Sequence, residues 1–147
     1  MAGARVCRNH FNLYTKQTTS ENMKKIVLSQ NAPKPIGPYS QAVQAGNFLF
    51  ISGQLAIDPK VSKIVTKDIT LQTRQVMENI NVILKAAGYS LKDVVQSTVY
   101  LSSMALFDAF NCEYSKCFEA KFPARATVGV ELKSGALVEV SVVAYKD

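Results

Sequence analysis

Charge is scarce in this sequence: Asp, Glu, Lys and Arg make up 19% of its 147 residues, against roughly 25% in an average soluble domain. So little charge leaves two readings open, an oligomer that hides part of its surface or a low-charge monomer. Histidine is almost missing. The single His10 lies in a polar N-terminal stretch, which excludes a histidine metal cluster and the familiar His-dependent nucleophilic hydrolases; no metal or cofactor is expected. Cysteine occurs three times, at Cys7, Cys112 and Cys117. The count is odd, and the last two stand five apart on a segment with a helical pattern, where they do not share a face, so no disulfide framework follows. No apolar run reaches the ~18 residues of a membrane-spanning helix, because Gln, Asn, Ser or a charge interrupts each one, and no membrane partner is expected. Repeats, heptads and low-complexity tracts are absent as well. The chain is long enough for one domain that buries about 68–70% of its unfolded surface, and too short for two full ones.

The charges that are present sum to +6. Residues 1–22 hold Arg5, Arg8 and Lys16 against Glu21, a share of +2, which leaves +4 for the rest. Such a surface attracts phosphate or carboxylate anions, but its cations are scattered singly without interleaved aromatics, so nucleic-acid binding has little support. Residues 1–22 are polar and aperiodic and read as a disordered extension or a leader, with Met23 as a candidate start and residues 23–147 as the globular domain. A cytoplasmic location is expected, or a mitochondrial or other organellar one if residues 1–22 are a presequence, although two arginines without an amphipathic stripe make a poor one.

Along the globular part, residues 25–29 read as a short strand. Three prolines and a glycine in Asn31-Ala-Pro-Lys-Pro-Ile-Gly-Pro38 then force an extended, turning loop. Residues 39–45 and 48–54 read as a hairpin around Ala45-Gly46-Asn47. After Asp58-Pro59, Asp68 or Thr70 caps a long helix whose apolar positions Ile69, Val76, Met77, Ile80, Ile83, Leu84 and Ala87 follow the 3.6 period, with Gly88 as its stop. Residues 94–101 alternate as a strand, and residues 106–120 carry a second helix with a stripe of Phe107, Phe110, Asn111, Tyr114 and Phe118. Residues 125–132 and 136–145 are two β-rich strands separated by Lys133-Ser-Gly135. The order β, ββ, α, β, α, ββ gives an α+β domain with two helices on one face of a sheet, whose other face needs a cover.

Three polar side chains stand out from this pattern. Arg125 opens a strand: it is either a strand-end arginine reaching water or a guanidinium fork gripping a carboxylate through two parallel bonds, which lysine cannot reproduce. Glu139, between Val138 and Val140, lies on a solvated face or is a desolvated acid or base able to position water. Asn111, lodged in the aromatic stripe, reads as a core amide satisfied by the backbone unless it faces a ligand. Residues 35–57 and 94–107 carry no charge, and the first stretch holds Tyr39, Ser52 and Gly53, whose hydroxyls and amide can donate to an anion; a buried hairpin with a turn is the plainer reading. A simple hairpin about Ser134 would set Arg125 opposite residue 144, about 16 Å from Glu139 at 3.3 Å per residue. A site shared by both then requires strands that do not pair directly, or two subunits.

Taken in order, Gly37-Pro-Tyr39, Phe50-Ile-Ser-Gly-Gln54, Arg74-Gln-Val-Met-Glu-Asn79, Phe122-Pro-Ala-Arg125 and Val138-Glu-Val140 resemble the motifs of the RidA family, also called YjgF or L-PSP. The resemblance runs from about residue 24 to residue 146. It implies a fold similar to the small trimeric chorismate mutases: a six-stranded mixed sheet covered on one face by two helices, with three such sheets packed into a barrel-like homotrimer and sites between subunits. It also implies a deaminase that hydrolyses 2-imino and 2-enamino acids, such as 2-aminoacrylate and 2-iminobutanoate, to 2-keto acids and ammonia, disposing of reactive intermediates released by pyridoxal-phosphate enzymes. On the matching positions Arg125 would bind the substrate carboxylate, Glu139 would position or activate water, and Tyr39, Ser52, Gly53, Asn111 and Thr127 would line the pocket. Thr127 departs from the pattern, since many relatives have cysteine there, and a thiol-dependent property does not carry over. Some relatives have been described as endoribonucleases that inhibit translation, and a non-catalytic ligand-binding or chaperone-like trimer would use the same cleft. The deaminase chemistry suits a site without histidine or a catalytic cysteine. Water attacks an N-protonated imine unaided, so the protein needs to orient the substrate and deliver water.

Overall fold

The computed structural model describes residues 24–147 apart from residues 120 and 134; the extension read at residues 1–22, with Cys7 and His10, lies outside the described residues. Strand β1 (Lys25–Val27) pairs antiparallel with β2 (Ala42–Ala45), and β2 with β3 (Phe48–Leu55). The turn between β2 and β3 uses Gly46 at φ +56°, a left-handed conformation that glycine adopts at little cost. The expected strand over residues 39–45 begins only at Ala42. Before it, the buried Gln41 side chain does the work of a ladder for the proline loop: its Oε1 accepts from the Ser29 amide at 2.6 Å and its Nε2 donates to the Pro33 carbonyl at 2.8 Å.

A small hairpin that the sequence pattern did not reveal turns after Asp58, formed by β4 (Ile57–Asp58) and β5 (Lys63–Ile64). Helix α1 (Ile69–Ala86) starts at Asp68 rather than Thr70, because Asp68 Oδ1 accepts from the Leu71 amide at 2.8 Å. It stops where Gly88 turns to φ +80° and the Tyr89 amide reaches back to the Leu84 carbonyl, the usual glycine C-cap. Strand β6 (Val94–Leu101) has the expected bounds. Helix α2 (Phe107–Ser115) is shorter than residues 106–120. The amides of Lys116, Cys117 and Phe118 each bond three residues back, a tightening that ends an α-helix, so Cys117 lies beyond it.

Strands β7 (Ala124–Gly129) and β8 (Val138–Tyr145) are not neighbours. The six-stranded sheet runs β1-β2-β3-β8-β6-β7, with β6 parallel to β7 and antiparallel to β8. The simple hairpin about Ser134 is therefore excluded. Because β6 leads through α2 into β7, the two strands form a crossover unit and run the same way. The chain then returns under control of the buried Gln72 in α1, whose Nε2 donates to the Gly135 carbonyl and whose Oε1 accepts from the Leu137 amide, both at 2.8 Å.

Both helices lie on one face of the sheet. Val76, Ile80, Ile83 and Leu84 from α1, with Phe110 and Tyr114 from α2, pack on Leu49, Val99, Leu101, Val138 and Val140, and each such side chain contributes about 1.5–3 kcal/mol by leaving water. Glu113 of α2 ties the helices together, bonding Arg74 of α1 at 2.9 Å and Lys116 at 2.8 Å. Among the described residues no element covers the opposite face. That face presents Phe48, Phe50, Val128 and Tyr145, all exposed, with the Phe48 ring 5.0 Å from Tyr145 and 6.3 Å from Phe50. Among the described residues no helix is long and apolar enough to cross a membrane.

Candidate functional site

Arg125 is paired along the sheet with Ser97 of β6, and Ser97 with Val142 of β8. Ser97 and Val142 point towards the helices, so Arg125 does too. There its Nη2 donates to Asn111 Oδ1 at 2.8 Å. Its Cζ lies 5.0 Å from the centre of the Tyr114 ring and 5.7 Å from those of Phe107 and Phe110, within reach of cation–π attraction. Positions 107, 110, 111 and 114 are three or four residues apart and share one helix face, which is why about two turns of α2 supply the whole cup. Asn111 is thus not a core amide satisfied by the backbone; it orients the arginine. Among the described residues no carboxylate pairs with Arg125, whose remaining N–H donors suit an anion. Beneath it, the Tyr114 hydroxyl and Ser97 Oγ share a buried hydrogen bond of 2.6 Å, and burial pushes the Tyr114 hydroxyl above its ordinary pKa. Thr127 pairs with Val99 on the same face. Its Oγ1 is buried without a hydrogen-bond partner among the described residues, so this hydroxyl does not open into a pocket.

Glu139 faces the other way. Val138 and Val140 are buried under the helices, so alternation sends Glu139 to the open face, between Tyr100 of β6 and Leu55 of β3. It is half-buried there, and that partial burial pushes its carboxyl above the ordinary carboxylate value. The β3–β8 register shifts between Ile51 and Gln54, a bulge that takes Ser52 and Gly53 out of the ladder. A β-carbon at Gly53 would stand 2.8 Å from Glu139 Cδ and 3.1 Å from Cγ. Glycine is therefore what lets the carboxylate lie over the strand. Ser52 Oγ donates to the Ser40 carbonyl at 2.7 Å, so its hydrogen is committed within the protein. Tyr39 is exposed, its hydroxyl oxygen accepting from the Ile36 amide at 3.3 Å, which leaves its hydrogen free. Tyr39 and Gly53 border a small depression together with Lys34, Gln41 and Leu55.

Within one protomer the sequence-predicted residues therefore fall into two groups. Arg125, Asn111 and Thr127 lie on the helix side, whereas Tyr39, Ser52, Gly53 and Glu139 lie towards the open side. Arg125 and Glu139 are two strand spacings apart sideways and three residues apart lengthwise, about 14 Å between Cα atoms, on opposite faces. Phe107, Phe110 and Tyr114 around Arg125 were visible in the sequence as an aromatic stripe, but nothing local revealed the cation they surround. A cavity of about 550 Å³ between Leu91, Cys117, Phe118 and Lys121 contains none of these residues. Burial pushes the Cys117 thiol there above its usual pKa, which makes it a poor nucleophile.

The motifs carrying Tyr39, Gly53, Arg125 and Glu139 lie within residues 29–146, which match a family model described as Endoribonuclease L-PSP. The chain belongs to this family, the RidA or YjgF family. A RutC family protein of Pyrococcus horikoshii is 55% identical over 126 residues, covering 85% of this chain and 100% of that protein. A 2-iminobutanoate/2-iminopropanoate deaminase of Dermatophagoides farinae is 39% identical, covering 80% of this chain and 92% of its own. The crystal structure of RidA from the Antarctic bacterium Psychrobacter sp. PAMC 21119 superposes with a TM-score of 0.80 at 38% identity, covering 83% of this chain and 99% of that one. The α+β fold expected from the sequence is thus the fold of the family. Its Arg74-to-Asn79 motif is explained by packing: Arg74 clamps Glu113, and Asn79 Nδ2 donates to the carbonyls of Leu55 and Ile57 at 3.0 and 2.9 Å.

Proposed function

We propose that this RidA-family protein hydrolyses small 2-imino and 2-enamino acids to 2-keto acids and ammonia, as a homotrimer in which each site combines the Arg125 group of one subunit with the Glu139 group of the next. The observation that carries this reading is Arg125, a half-buried guanidinium in an aromatic cup, bonded to Asn111 and without a carboxylate partner among the described residues. Such a group binds a substrate carboxylate through charge-assisted bonds. The raised pKa of Glu139 suits a carboxyl that must both accept and return a proton. Glu139 takes a proton from water as the oxygen attacks C2 of the iminium. Glu139 then returns that proton to the carbinolamine nitrogen; as the C2–N bond breaks, the hydroxyl oxygen forms the carbonyl and gives up its own proton to Glu139, and the nitrogen departs as ammonia. Because Arg125 and Glu139 point to opposite faces, a common site needs a second subunit, and the open apolar face with Phe48, Phe50 and Tyr145 is the surface that would receive it.

The test couples the purified protein to a threonine dehydratase and measures 2-oxobutanoate formation against spontaneous hydrolysis. Wild type is expected to accelerate it and Arg125→Ala to fall back towards the spontaneous rate; no acceleration by wild type would remove the reading. A second reading, RNA cleavage, has the family model's description in its favour. Cleavage that survives Arg125→Ala would assign it to a different surface.

A further inference from the structure

We propose that Ser97 and Tyr114 are positioning residues for Arg125, fixing the plane of its guanidinium so that the two prongs of the fork meet a carboxylate in register. The inference rests on the reading of Arg125 as the carboxylate-binding group. Ser97 and Tyr114 are 1% and 2% exposed and are joined by a 2.6 Å hydrogen bond between their hydroxyls. Alanine at 97 and phenylalanine at 114 would fill this space without burying two polar groups, so the pair supplies something that apolar packing does not.

Its placement shows what that is. Ser97 is the direct ladder partner of Arg125, so the hydrogen bond anchors the Tyr114 ring to the same rung of the sheet from which the arginine projects. Of the three rings around Cζ, that of Tyr114 is nearest, at 5.0 Å. Phe110 and Phe118 flank Tyr114 at 5.3 and 5.0 Å and hold it laterally, whereas Ser97 fixes it along its long axis. Asn111 holds one edge of the guanidinium, and Tyr114 supports its face. An edge and a face together define a plane, and a bidentate pair depends on that plane.

Arg125 grips the carboxylate alike in ground and transition states, so loosening it weakens binding and leaves the chemical step alone. Ser97→Ala and Tyr114→Phe are each expected to raise KM for enzymatically generated 2-iminobutanoate, and Kd for 2-oxobutanoate measured by NMR, by about fivefold. The Arg125 Nε–Hε resonance is expected to lose the displacement imposed by the Tyr114 ring. The double variant separates positioning from stability. With both hydroxyls gone no buried polar group is left unpaired, so its melting temperature should return close to that of wild type, while the KM and Kd defects persist. Recovery of KM together with stability in the double variant, or an unmoved Arg125 resonance and unchanged keto-acid affinity in all three, would overturn the proposal. If wild type fails to hydrolyse imines, the deaminase reading falls, and the resonance and the keto-acid affinity still decide the positioning role.

Discussion

Glu139 occupies the space that any side chain on residue 53 would need: a β-carbon at Gly53 would lie 2.8 Å from Glu139 Cδ and closer still to Oε1. The clash is with the far end of a flexible side chain rather than with backbone. Gly53→Ala should therefore fold, with a melting temperature near that of wild type, and displace the carboxylate. Deaminase activity is expected to fall at least about tenfold, approaching that of Glu139→Ala, as for loss of a positioned base. An active Gly53→Ala enzyme would show that the observed place of the Glu139 carboxylate does not matter.

Arg125→Ala and Arg125→Lys should both lower kcat/KM by roughly tenfold to a few hundredfold, the range for losing a charge-assisted pair worth about 1.5–3 kcal/mol. Neither should unfold the protein. Full activity in Arg125→Lys, measured by the coupled assay, would sink the bidentate assignment, because lysine keeps the charge and loses the fork.

Two carboxyls, the buried Glu113 and the half-buried Glu139, should respond to pH in opposite senses. The hydrogen bond from Lys116 holds Glu113 below the ordinary carboxylate value, against the effect of burial and with help from Arg74. Its contribution is present above the unfolded-state pKa and is lost as pH falls, so Glu113→Gln should be less stable than wild type at pH 7, with a deficit that shrinks below about pH 4. Burial raises Glu139, so its ionisation on going up through the carboxylate range costs stability. Glu139→Gln should be more stable than wild type at neutral pH and indistinguishable from it in acid. Urea unfolding at both pH values and one protein concentration checks both signs.

Thr127 Oγ1 is buried and unpartnered among the described residues. Replacing it by a methyl group in Thr127→Val removes the cost of an unsatisfied hydroxyl and should raise stability by about 1 kcal/mol. A loss of stability on urea unfolding would reveal a hydrogen bond that the structure does not contain.

How far the molecule was legible in its sequence depended on range. Helix α1 could be read because burial alternates with its own period and Asp68 and Gly88 mark its ends; β6 could be read because it alternates between two environments. The order of strands could not, because nothing in residues 124–145 records that β6 lies between β7 and β8. Arg125 and Glu139 stood out as charges among apolar neighbours, yet the facts that give them meaning are distant contacts. The cup of Phe107, Phe110 and Tyr114 and the bond to Asn111 come from a separate helix, and the opening at Gly53 comes from a bulge in a separate strand. A sequence shows which side chains are anomalous on their element, whereas their faces emerge only once the sheet is assembled.

That assembly makes the division of the site between subunits the claim most open to test. Arg125→Ala and Glu139→Gln proteins, each strongly impaired alone, can be mixed in equal amounts, unfolded and refolded together. In a cyclic assembly with each site built from two neighbouring subunits, a quarter of the sites receive both a native Arg125 and a native Glu139, so activity should recover to about a quarter of that of wild type. Recovery at that level is the predicted result, and a mixture no more active than its components, with mixed oligomers present, would contradict it.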